Sequence, residues 1–317
     1  MFCGIGGIDL AFEHAGHSIV WANDNNRFAC ESYRYNFPHV NLKQEDIRSV
    51  DKNNIPDCDI VTAGFPCQPF SVCGKRQGFD DPRGDLFYEI CKVLDAKQPQ
   101  IVFLENVANL TEHNKGKTFN TIHNELSQRG YYIRYLIADA CDYGVPQHRT
   151  RTYILAFKDK VTCDRYSFPD KVPLKTHIID IVNTGKRVDD KYYFQPGTSK
   201  YRRLINYIGD VNQLYRFSDW GIQSSKGGIS FTLKANMGTF YDRVPIIKDQ
   251  YGIRRITPEE CLALQCFPLG FKLPDYVPAS EQYKQIGNTV CYSVVGLILH
   301  GLDIGMHKLS ETQYALN

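Results

Sequence analysis

A chain of 317 residues with 43% hydrophobic side chains has the apolar material for one large domain or two, which excludes a disordered protein. It has no run of about 18 apolar residues and no basic start leading into an apolar stretch, so neither a membrane span nor a signal peptide is read and a cytoplasmic protein is expected. The 11 cysteines, an odd number without CxxC units, suit reduced thiols rather than a disulfide framework; Cys261 and Cys266 have no partner at zinc-ligand spacing, so no metal is expected.

The net charge of +2 hides a segregation. From Lys158 to Arg255 there are 18 Lys and Arg against 10 Asp and no Glu, while the remaining residues carry 19 against 25. A basic segment of +8 in an otherwise acidic chain suits a polyanionic partner, or simply a solvated basic face.

In chain order, the sequence begins with Met-Phe-Cys-Gly-Ile-Gly-Gly, a glycine turn of the kind that approaches a nucleotide cofactor, with no room before it for a presenting strand. Short apolar runs at 18–23, 59–64, 101–106, 131–138 and 152–157 read as strands, and amphipathic stretches at 84–97 and 118–130 as helices between them. Such alternation implies a parallel sheet with helices on its faces and ligands at the carboxyl ends of the strands. From about residue 160 the chain turns into short, Tyr-, Lys- and Arg-rich pieces broken by Gln-Pro-Gly-Thr-Ser and Ser-Ser-Lys-Gly-Gly, which reads as a small, irregular, mostly β domain. Thr257, Pro258 and Glu260 then start a helix with a capping box, and residues from Asn288 on read as an apolar helix returning to the first domain. The expected divisions are 1–160, 161–255, 256–285 and 286–317.

Three strand-edge features carry chemistry. Cys67 directly follows an apolar strand, at the sheet rim where a nucleophile would stand, although a lone cysteine there is more often a small core residue. Glu105 ends another apolar strand and would reach the same rim, desolvated and suited to giving a proton, unless it only caps a helix. Gln147, Arg149 and Arg151 alternate, so in an extended segment they share one side, where arginines hold a carboxylate or an anion or form plain surface pairs.

Taken together, Phe-Cys-Gly-Ile-Gly-Gly, Gly-Phe-Pro-Cys-Gln-Pro-Phe-Ser, Glu-Asn-Val, Gln-His-Arg-Thr-Arg and Gln-Ile-Gly-Asn-Thr-Val stand in the order and spacing of the motifs of the bacterial cytosine-5 DNA methyltransferases. The resemblance covers nearly the whole chain except about 160–250, where that family keeps its target-recognition domain. It implies an α/β fold: a Rossmann-like methyltransferase domain with a mostly parallel sheet and helices on both faces, plus the small recognition domain. It also implies methyl transfer from S-adenosylmethionine, released as S-adenosylhomocysteine, to C5 of a cytosine flipped out of double-stranded DNA. Cys67 would add to C6, Glu105 would serve N3, and Arg151 would hold O2 and orient Glu105, with Arg149 and Gln147 nearby.

Residue by residue, the resemblance assigns the cofactor to Phe2, Gly4, Gly6, Gly7, Asp24, Asp46, Ile47, Pro66, Leu86, Asn288 and Val290. DNA falls to Gln68, Ser71, Lys75, Arg76 and Arg83 of the loop after Cys67 and to Thr232 and Leu233. Asp24 and Asn25 depart from the family, which more often has Glu and an aromatic there, as do Ala263 and Cys266, where Arg and Gly are usual. A monomer associated with the nucleoid is expected, with a cognate restriction endonuclease encoded nearby. The rivals are a tRNA methyltransferase of the same family, a silent DNA-binding relative and, least, a dinucleotide oxidoreductase. Because relatives carry about a dozen residues before the equivalent of Phe2, an upstream first strand is expected. Met1 would then hold the place of that strand's last apolar residue, on a fraying end that binds the cofactor weakly.

Overall fold

The computed structural model of the protein describes residues 1–65, 86–209 and 213–302, and only the backbone at Tyr241. Pro66, Cys67, Gln68, Ser71, Lys75, Arg76 and Arg83 lie outside the described residues, as does the chain after Leu302.

The first domain alternates helix and strand: α1 (Gly7–His14), β1 (Ala22–Asp24), α2 (Arg27–Asn36), β2 (Leu42–Gln44), β3 (Ile60–Gly64), α3 (Leu86–Lys97), β4 (Ile101–Val107), α4 (Lys117–Gln128), β5 (Tyr132–Asp139) and β6 (Thr150–Phe157). β1 and β2 form a parallel pair, and a second sheet runs in the order β3-β4-β6-β5. The α/β class agrees with the sequence reading, but the second sheet is mixed: β3 and β4 are parallel, whereas β6 lies antiparallel to both β4 and β5. Only about ten residues separate β5 from β6, too few for the crossover that a parallel pair requires.

β4 shows why its sequence is a continuous apolar run, because both of its faces are covered. Ile101 and Phe103 join one core with Phe12 of α1, while Val102 and Leu104 join another with Phe87, Leu94, Ile122 and Leu126 of α3 and α4. Among the described residues no strand lies between β1 and β3. Met1–Cys3 spans that space: the Met1 ammonium donates to Thr62 O at 2.7 Å and Cys3 N to Asn23 O at 3.0 Å. Met1 is buried in the second core, so the expected fraying end is instead held on both sides.

After α5 (Lys160–Arg165), α6 (Ile178–Ile181) and α7 (Ser199–Ile205), four antiparallel strands, β7 (Tyr215–Ser218), β8 (Gly221–Ser224), β9 (Ile246–Asp249) and β10 (Gly252–Arg255), form a separate sheet in the order β10-β9-β7-β8. Phe194, Leu204, Tyr215, Phe217, Ile246 and Ile253 give it a core of its own. The capping box starts α8 (Pro258–Ala263) as expected. The apolar helix expected from Asn288 on is α10 (Tyr292–His300); ahead of it stands a helix that was not expected, α9 (Ala279–Asn288), and extended backbone at Thr289 parts the two. α10 packs beside α1 on the first domain.

Arg254 ties the small sheet to α8. It is fully buried, with Nε 2.6 Å from Asp249 Oδ2, and Nη1 and Nη2 2.7 and 2.8 Å from the two Glu260 oxygens. Removing only the cation leaves two carboxylates without their partner, so Arg254→Ala should cost about 3–5 kcal/mol in urea unfolding. A loss below about 1 kcal/mol would show that water reaches these carboxylates in the folded chain.

Candidate active site

The carboxyl ends of β3 and β4 meet the start of β6, and the site is built there. Glu105 faces Gly64 on β3 and Tyr153 on β6, while Arg151 faces Val107, so Arg151 lies diagonally across from Glu105 within reach of its long side chain. Arg151 Nε is 3.0 Å from Glu105 Oε1, with the two side chains 14% and 11% exposed. Burial pushes the Glu105 carboxyl above its usual value; Arg151 and Arg149 pull it down, and burial prevails. Asn106, next along β4, donates from Nδ2 to Phe65 O at 2.9 Å and fixes the backbone where it leaves β3.

These groups floor a cleft of about 450 Å³, within the size range of small-molecule sites. Phe2, Gly4, Gly7, Asp24, Asp46, Ile47, Leu86, Asn288 and Val290 line it with Glu105, Asn106, Arg149 and Arg151. Gly6 does not line it and instead caps α1. Phe2 adopts a φ of 53°, sparsely populated for a residue with a side chain. A Cβ on Gly4 would meet no protein atom within 4 Å, so cleft space stays open there.

Asp24 braces the turn, accepting Gly4 N–H on Oδ2 at 2.9 Å and Asn26 N–H on Oδ1 at 2.8 Å. Asp46 accepts from Arg48 Nε and from Arg48 N–H, each at 2.9 Å, and these contacts hold its carboxyl down at about 2. The sequence reading overlooked Gln285, in the Gln-Ile-Gly-Asn-Thr-Val stretch. Its Oε1 accepts from Ser32 Oγ at 2.8 Å, and its buried Nε2 has no partner among the described residues at the cleft wall. An orphan donor beside a glycine turn and two acidic residues fits a polar nucleotide cofactor.

Gln147 and Arg149 are bound up with the backbone around the cleft. Gln147 is buried, does not line the cleft, donates to Leu264 O and accepts from Leu233 N, both at 3.2 Å. Arg149 donates to Leu233 O at 2.7 Å, to Gly287 O at 3.1 Å and to Thr289 O. Burial and the neighbouring Arg151 lower its pKa to about 10. Gly287 makes this junction possible, because a Cβ there would stand 2.1 Å from Ala235 N. Leu233, expected against DNA, is a correction: its side chain is fully buried in the main core, and only its backbone serves the site. Thr232 beside it is partly exposed and donates to His148 O at 2.6 Å.

A Rossmann-like sheet with a glycine turn, an acidic residue ending the following strand and a buried glutamate at the rim defines an enzyme built around a nucleotide-type cofactor. The chain belongs to the C-5 cytosine-specific DNA methylases, whose family model matches residues 1–302. It is 39% identical to the type II methyltransferase M.Bsp6I of Bacillus sp. (strain RFL6) over 306 residues, covering 95% of this chain and 96% of that one. To the type II methyltransferase M.HhaI of Haemophilus parahaemolyticus it is 32% identical over 320 residues, covering 97% and 94%. A mutant DNMT2 of Spodoptera frugiperda shares the fold, with a TM-score of 0.74 at 22% identity over 95% of this chain and 97% of that one. The protein is therefore a DNA cytosine-5 methyltransferase of the type II restriction-modification kind. Among the described residues no helix is long and apolar enough to cross a membrane.

The raised Glu105 pKa has a stability consequence. The folded state favours the neutral carboxyl, so between the ordinary and the raised value the unfolded chain binds fewer protons and stability falls as pH rises. Glu105→Gln, which cannot ionise, should melt with the parent below about pH 4 and above it at pH 8, as read by calorimetry. A parent more stable than the variant at pH 8 would mean that the Arg151 pair outweighs burial.

Proposed function

We propose that the cleft performs methyl transfer to C5 of a cytosine flipped out of duplex DNA, through a covalent adduct between Cys67 and C6. The observation that carries this reading is a desolvated glutamate, poised to hold a proton and backed by an arginine, in the same cleft as the glycine turn. Cys67 lies outside the described residues, and its role rests on the motif and on its position just after β3.

In this reading the Cys67 thiolate forms the S–C6 bond while Glu105 passes its proton to N3, so the electrons of the C5–C6 double bond become available at C5. S-adenosylmethionine, when bound, supplies an electrophilic methyl group. Phe2, Gly4, Gly7, Asp24, Asp46, Ile47, Leu86, Asn288 and Val290 would hold it, with Gln285 Nε2 offering a further donor, and Gly6 and Pro66 remain assigned by the motif alone. Arg151 keeps Glu105 aimed and hydrogen-bonds the cytosine O2. The C5 proton then leaves to a solvent base, the S–C6 bond breaks to return the thiolate, and Glu105 recovers its proton from N3. Arg149 and Gln147 position this machinery through the carbonyl and N–H of Leu233. Sequence recognition falls to residues 161–255, Thr232 among them, with Gln68, Ser71, Lys75, Arg76 and Arg83 following the phosphates. The enzyme works as a monomer, beside a separately encoded endonuclease.

Cys67→Ser should lose methyl transfer by at least about a thousandfold and keep specific DNA binding within about threefold, because a hydroxyl is a far weaker nucleophile at neutral pH. Bisulfite sequencing of plasmid from expressing cells reads the activity and the site together. A denaturation-stable complex with DNA carrying 5-fluorocytosine at that site should form with the parent and not with the variant. Retained turnover in Cys67→Ser removes the adduct from the mechanism.

A further inference from the structure

Outside the cleft, three side chains of different ligand chemistry converge where β5 hands over to β6. Asp139 ends β5, Cys141 sits in the single 3-10 turn that follows, and His148 precedes β6. His148 Nδ1 lies 3.0 Å from Asp139 Oδ2 and 3.3 Å from Cys141 Sγ, and one ligand atom from each residue falls within 4.8 Å of the other two. None of the three lines the cleft.

We propose that Asp139 Oδ2, Cys141 Sγ and His148 Nδ1 form a site for a thiophilic divalent cation of the zinc class. In a tetrahedral zinc centre, with Zn–N and Zn–O of about 2.0–2.2 Å and Zn–S of about 2.3 Å, neighbouring ligand atoms stand about 3.3–3.6 Å apart. The two separations at His148 Nδ1 are already within a few tenths of an ångström of that. One oxygen, one sulfur and one imidazole nitrogen suit zinc, whereas calcium and magnesium require several oxygens.

The backbone beneath is fixed by contacts that the cation would not use. Asp139 Oδ1 accepts Arg149 N–H at 2.6 Å, leaving Oδ2 for the metal. Ala140 N donates to Arg149 O at 3.1 Å, and His148 is held through its N–H to Ser230 O at 2.9 Å and its carbonyl from Thr232 Oγ1 at 2.6 Å. Such outer contacts orient metal ligands. The His148 side chain is 57% exposed, so the cation has an open entry and water can complete the tetrahedron. On binding, the Cys141 thiol gives its proton to solvent, and His148 gives up its contact with Asp139 and binds neutral, with its proton on Nε2. The bound cation would brace the segment that leads into Arg149 and Arg151 and touches Thr232.

The test uses the full, tag-free chain carrying Cys67→Ser, which removes the thiol assigned to catalysis, and Co2+ as an optical stand-in for Zn2+. Tetrahedral cobalt bands with a sulfur-to-cobalt charge-transfer band should saturate at about one equivalent and be bleached by one equivalent of Zn2+. Adding Cys141→Ser should abolish the charge-transfer band, and His148→Ala should weaken Co2+ binding at least tenfold, each variant melting with its parent without metal. If Cys141→Ser fails to fold, the loss in His148→Ala decides alone. A spectrum without tetrahedral cobalt, or a thiolate band that survives Cys141→Ser or binding unchanged in His148→Ala, overturns the site.

Discussion

The arrangement depends on one buried cation. Arg149 is 2% exposed and spends its charge on three backbone carbonyls, of Leu233, Gly287 and Thr289, while its Nε has no partner among the described residues. A guanidinium held by neutral acceptors alone is a costly thing to bury, and burial lowers its pKa accordingly. What the cost secures is convergence. Leu233 lies in the segment between β8 and β9, and Gly287 and Thr289 mark the end of α9 and the break before α10. One side chain thus fixes two stretches, distant in sequence, against the start of β6. Carbonyls freed by ending a helix need donors, so the break after Asn288 and the buried arginine each account for the other.

Glu105 is subject to an opposing pair of influences. Two arginines favour its ionised form and burial favours its neutral form, with burial the stronger. A carboxyl left to water would be ionised at neutral pH and unable to give a proton, while one buried without Arg151 would have nothing to fix its orientation. The diagonal register of β4 and β6 meets both needs, since it brings Arg151 to Oε1 without opening the glutamate to solvent.

How much of this could be read from the sequence depended on whether the relevant contact is local. Glu105 was legible because it ends a run of apolar residues on a strand covered on both faces, and Arg151 because alternation along an extended segment sets its side. The small antiparallel sheet and the α8 capping box were legible for the same reason. Leu233 was misassigned because a Thr-Leu pair does not say which of its side chains meets the core, and packing decided that. Gln285 was passed over because nothing local marks a glutamine whose donor is left unpartnered by tertiary folding. Asp139, Cys141 and His148 escaped because a mostly parallel sheet was expected, in which the end of β5 and the approach to β6 would lie at opposite edges. The antiparallel register, Asp139 opposite Thr150, instead brings residues seven to nine positions apart side by side.

That same register joins the cleft and the proposed cation site through a single residue. Asp139 accepts the Arg149 N–H with one oxygen and approaches His148 with the other, so the carboxylate that sets the backbone of the buried arginine is also the one offered to a cation. Arg149 in turn holds the carbonyl of Leu233, and Thr232 holds that of His148, so the chain closes on itself within a few residues. Any charge that drew Asp139 Oδ2 outward would act on a backbone braced at both ends. On the strand side, that backbone runs through Arg149 into Arg151 at the start of β6.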